Sequence, residues 1–114
     1  MDELIAKVSS ATGIDPATAR KAVVIILQFL LNAGPKEKVD ALVDQLPGAR
    51  SAIGNGGGGP SDIMGAFGAL TGAGLDMGQI QSVASAFGKV ARDHVGSATV
   101  DQVVAGIPGL SQFV

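Results

Sequence analysis

An all-α fold of about six helices is predicted by three observations. Apolar residues recur at three- and four-residue spacing, glycine and proline punctuate those runs, and the pattern before residue 54 returns after residue 60. The helices form two three-helix pseudo-repeats packed in one domain over residues 1–114. The first is residues 1–53 and the second residues 61–114, with a Gly-rich linker at 54–60 between them.

The first helix spans roughly residues 2–11, where Leu4, Ile5 and Val8 share one face, and Gly13 ends it. Asp15 suits the N-cap of the next helix because its carboxylate accepts free backbone N–H groups, and Pro16 fits the first helical position. A long helix follows, with Ala19, Ala22, Val23, Ile26, Phe29, Leu30 and Ala33 in one stripe, and Gly34-Pro35 terminates it. The third helix, about 36–46, carries Val39, Leu42, Val43 and Leu46 before Pro47-Gly48. After the linker, Asp62 to Leu70, Asp76 to about Val95, and Thr99 to about Ala105 play the same parts. Asp76 with Gln79, and Thr99 with Gln102, have the form of capping boxes.

The recurrence is ungapped at an offset of 61: Gly13, Asp15, Val39, Asp40, Val43, Pro47 and Gly48 return as Gly74, Asp76, Val100, Asp101, Val104, Pro108 and Gly109. On the long helices, Ala19, Ala22, Ile26, Phe29 and Leu30 match Ile80, Val83, Phe87, Val90 and Ala91, with large and small residues exchanged. That exchange suits complementary packing across a pseudo-two-fold. The outward positions differ, since Val24, Ile25, Leu27 and Leu31 face Ser85, Ala86, Gly88 and Arg92 in the comparison. An apolar first long helix is therefore either the central helix or part of a subunit contact. In the second case Val24, Leu27, Gln28 and Leu31 are the candidate homodimer interface.

Composition narrows the chemistry. Apolar residues are 46% of the chain and charged residues 16%, enough burial to offset chain entropy. Cys, Trp and Tyr are absent, which removes disulfides, thiolate ligands, a cysteine nucleophile and phenol or indole stacking platforms. The glycine run Gly54 to Gly59 satisfies a dinucleotide pattern formally, but no strand precedes it and no Lys-Ser or Lys-Thr follows. His94 has no converging nucleophile or ligand set in the sequence, and a helix C-terminus accounts for it. Capping accounts for Asp15 and Asp76, and the helix dipole for Asp40 and Asp101. No catalytic, cofactor-binding or metal residue is assigned, and no cofactor is expected. The chain opens Met1-Asp2-Glu3 without the basic start of a secretory signal, and its most apolar run, residues 22–31, is half a membrane span. A cytoplasmic protein without a membrane span is expected. Gly65, Gly68, Gly72, Gly74 and Gly78 surround a weakly helical apolar segment, and Met64, Phe67, Met77 and Phe87 mark a candidate apolar pocket.

Two resemblances add to this reading. Asp2-Glu3-Leu4-Ile5-Ala6-Lys7 and Thr18-Ala19-Arg20-Lys21-Ala22 resemble the opening helical hairpin of the HU family over residues 1–31. HU-type DNA binding uses basic β-arms, and no strand-forming Lys/Arg-rich segment follows here, so no nucleic-acid partner is expected. Over most of the chain, Thr12-Gly13-Ile14-Asp15, the apolar helix, Leu46-Pro47-Gly48-Ala49 and the stretch before Gly74-Leu75-Asp76 resemble small bacterial proteins of unknown function of the VcgC/VcgE type. That resemblance implies a bacterial origin and a helical fold, with no active site to carry over. The leading expectation is a non-enzymatic protein-interaction or scaffold module. The alternative is a binder of a small apolar ligand or lipid between helical layers, and nucleic-acid binding of HU-like type ranks third.

Overall fold

Six helices and no strand make up the residues that the computed structural model describes, which are 2–34, 36–45, 48 and 62–106. They are α1 (Asp2–Thr12), α2 (Pro16–Ala33), α3 (Lys36–Gln45), α4 (Ile63–Gly72), α5 (Met77–Val95) and α6 (Ser97–Ala105). The linker expected at 54–60 lies outside the described residues, as do Leu46, Pro47 and Pro108. The helix starts at 63, 77 and 97 each fall 61 residues after those at 2, 16 and 36.

The turns follow from local chemistry. Gly13, at φ 72°, leads out of α1, and its N–H donates to Ser9 O at 2.8 Å. Asp15 then caps α2, accepting from Thr18 N at 3.2 Å and Thr18 Oγ1 at 3.3 Å, with Pro16 in the first turn. The α4–α5 turn is a Schellman motif built on Gly74, at φ 100°: Leu75 N donates to Leu70 O at 3.3 Å, and Gly74 N to Thr71 O at 3.0 Å. Leu70 and Leu75 are both buried, supplying the apolar contact that accompanies this turn. Asp76 and Gln79 complete a capping box on α5, with Gln79 N donating to Asp76 Oδ1 at 2.8 Å and Asp76 N to Gln79 Oε1 at 3.0 Å. Asp62, expected within its helix, is instead the N-cap of α4 and accepts from Gly65 N at 2.6 Å.

The expected Thr99–Gln102 box is not how α6 begins. That helix starts two residues earlier, at Ser97, and its N-cap is Gly96, which has no side chain to cap with. Gly96 sits at φ 88°, ψ 153°, a conformation essentially reserved for glycine, so the backbone turns sharply enough there to leave Thr99 already inside the helix.

Both long helices are central. α2 packs on α1, α3, α4 and α5, and α5 packs on all five other helices. The opening helix of each half lies chiefly on the long helix of the other: α1 mainly on α5, and α4 mainly on α2. α3 and α6 also meet. Equivalent positions are buried together: Ile14 with Leu75, Ala19 with Ile80, Ala22 with Val83, Val39 with Val100, and Leu42 with Val103. No polar or charged residue is buried among the described residues. The core is held by apolar burial and by close packing of its side chains.

This arrangement corrects one expectation. Leu27, assigned to an outward face, has no exposed surface and is among the largest fully buried side chains. Helices cover α2 on several sides, so burial spreads beyond a single stripe, and Leu27 belongs to the chain's own core. Val24, Gln28 and Leu31 are half-buried, and Leu31 packs against the core cluster. α2 is a central helix of the described fold, and of the four candidate interface residues Leu27 has no surface to offer a partner.

Candidate functional site

The feature best suited to holding a ligand is an apolar cavity between the layers. About three turns of α5 face it with Ile80, Ala84, Phe87, Gly88 and Ala91, and α2 faces it with Ile26, Phe29 and Leu30. Across from them α4 contributes Ile63, Ala66, Phe67 and Leu70, a run at i, i+3, i+4 and i+7 that fixes which side of this short helix turns inward. Leu42 of α3 and Val100, Val103 and Val104 of α6 complete the wall. The cavity measures about 60 Å³ and opens to solvent. Every lining residue among the described ones is Ile, Leu, Val, Phe, Ala or Gly, so no described side chain at the wall carries a charge or a hydrogen-bonding group.

The sequence-marked pocket residues divide here. Phe67 and Phe87 line the cavity. Met64 and Met77 do not: they are 74% and 59% exposed. Met64 is one residue past Ile63 and so points away from the inward run. Met77 is the first residue of α5, out at the surface turn. Nearness in sequence grouped four residues that the helix faces separate. Most of the wall was missed because Ile26, Leu30, Ala84 and Ala91 read as ordinary core positions, and only their joint failure to close the space makes a cavity.

The polar groups are engaged elsewhere. Asp15, Asp62 and Asp76 cap helices. Asp101 accepts from Arg92 Nη2 at 3.1 Å, an exposed pair linking α6 to the last turn of α5. His94 also lies in that last turn, where a cation complements the helix dipole. Among the described residues no group of three or more His, Cys, Asp or Glu side chains converges on a metal position, and no helix is long and apolar enough to cross a membrane. The glycine run at 54–59 lies outside the described residues.

Comparison with known proteins adds no relative. No protein-family model matches the chain, and searches of curated proteins and of solved structures return no match.

Proposed function

We propose that this chain is a non-catalytic helical binding module that takes a small uncharged apolar molecule, or the end of a lipid chain, between its helical layers. The observation that carries the reading is the wholly apolar cavity bounded by α2, α4, α5 and α6. A group entering it exchanges water contact for dispersion contact with the walls, while a charged or hydrogen-bonding group would be desolvated there without a partner from the described side chains. The scaffold reading is weaker because Leu27 is committed to the core. The matched helix starts and matched burial support treating the halves as two copies of one three-helix unit. The VcgC/VcgE resemblance contributes a helical fold and no activity.

Methyl-resolved NMR during a benzene titration tests the proposal. Saturable shifts are expected at Ile26, Leu30, Ile63, Leu70 and Val103, with Val8 and Val23 unmoved. Shifts that fail to saturate, or that centre on the exposed Met64 and Met77, would remove the cavity from consideration as a binding site.

A further inference from the structure

At the offset of 61 that aligns the helix starts, Ala84 and Gly88 stand opposite Val23 and Leu27. Val23 and Leu27 are fully buried and line no part of the cavity; Ala84 and Gly88 both line it. The second long helix therefore carries two carbons fewer at one position and four fewer at the next, one helical turn away on the same face. Ile80 and Phe87 each carry three carbons more than their counterparts Ala19 and Ile26 and line the same cavity, so bulk on this wall is shifted from positions 84 and 88 to positions 80 and 87.

We infer that Ala84 and Gly88 are specificity-determining residues of the apolar site, and that the site takes a small uncharged alkyl or ring group. This rests on the ligand reading above. The occupant is held to neutral hydrocarbon because no described lining side chain supplies a partner for a carboxylate, phosphate or ammonium group. Its size is set by α5: a side chain at 84 or 88 occupies the same space as the ligand, so protein bulk and ligand bulk exclude each other.

Ala84→Val, which restores the residue of the first half, and Gly88→Ala test this in the intact chain, read by thermal unfolding without ligand and by benzene titration. Ala84 sits mid-helix, half-buried and on the cavity wall, so added carbons enter the cavity, against a small loss of helix propensity for a β-branched residue. The unliganded Ala84→Val protein is expected to melt about 3 °C higher, as for cavity filling. Benzene affinity should fall at least tenfold, and Gly88→Ala should weaken binding in the same direction. A lower Tm for unliganded Ala84→Val would mean there is no room beside this residue and would overturn the inference. A raised Tm with undiminished benzene affinity would overturn it too, by placing the ligand elsewhere. If the unsubstituted protein binds no benzene while Ala84→Val raises Tm, the ligand reading fails and takes the assigned ligand class with it, although the gap beside Ala84 is real.

Discussion

Leu27→Ala separates a core residue from an interface residue. Leu27 has no exposed surface, so truncation removes three buried carbons, roughly 2.4 kcal/mol at about 0.8 kcal/mol per methylene. The void left behind adds to this, giving a loss of about 3–5 kcal/mol, as is usual for buried leucines. With a urea slope of about 1.5 kcal/mol per molar, the unfolding midpoint should fall by about 2 M or more. The assay is urea denaturation followed by far-UV circular dichroism, alongside light scattering at matched concentrations. Leu27 lies outside the cavity wall, so benzene binding to the folded fraction should persist. A loss below about 1 kcal/mol, accompanied by a change of mass in scattering, would refute the core assignment and restore Leu27 to a subunit contact.

Two further outcomes follow from the turns. Gly13→Ala and Gly74→Ala place a Cβ where nothing lies within 4 Å, but at φ of 72° and 100°, so each should cost about 1–2 kcal/mol through backbone strain alone, measurable in the same denaturation assay. Asp76→Ala and Asp15→Ala each remove one N-cap carboxylate and should each cost about 1 kcal/mol, while Gln79→Ala, which removes the acceptor for Asp76 N, should cost less; no loss for Gln79→Ala would show that the second bond of the capping box contributes nothing.

Punctuation was the most legible part of the sequence. Asp15-Pro16 and Asp76 with Gln79 act through groups three or four residues apart, and such short-range chemistry survives whatever the tertiary context. The helix spans followed for the same reason. Thr99 and Gln102 had the right types at the right spacing, yet the backbone at Gly96 had already begun the helix, which no pairwise pattern encodes. Leu27 escaped because a single-stripe reading assumes one buried face, while α2 is covered by four neighbours. The cavity was half legible: Phe67 and Phe87 were found from the apolar, glycine-rich context, and Met64 and Met77 were grouped with them only by proximity along the chain. A cavity is a property of several helices together, and sequence describes them one at a time.

The crossed seating of α1 on α5 and of α4 on α2 has a consequence for how the molecule comes to exist at all. Residues 1–53 by themselves would leave the flank of α2 that α4 covers open to water, and the second half would lack the clasp of α1. Each long helix is therefore covered in part by the other half of the chain. The pairing of α1 with α5 spans at least the stretch from Thr12 to Met77, so its loop-closure entropy must be met before the contact rewards it. Folding should therefore be one all-or-none event, slower than the helical content alone suggests. Two separately produced halves, mixed, should recover helicity that neither has alone, because each carries the other's missing lock.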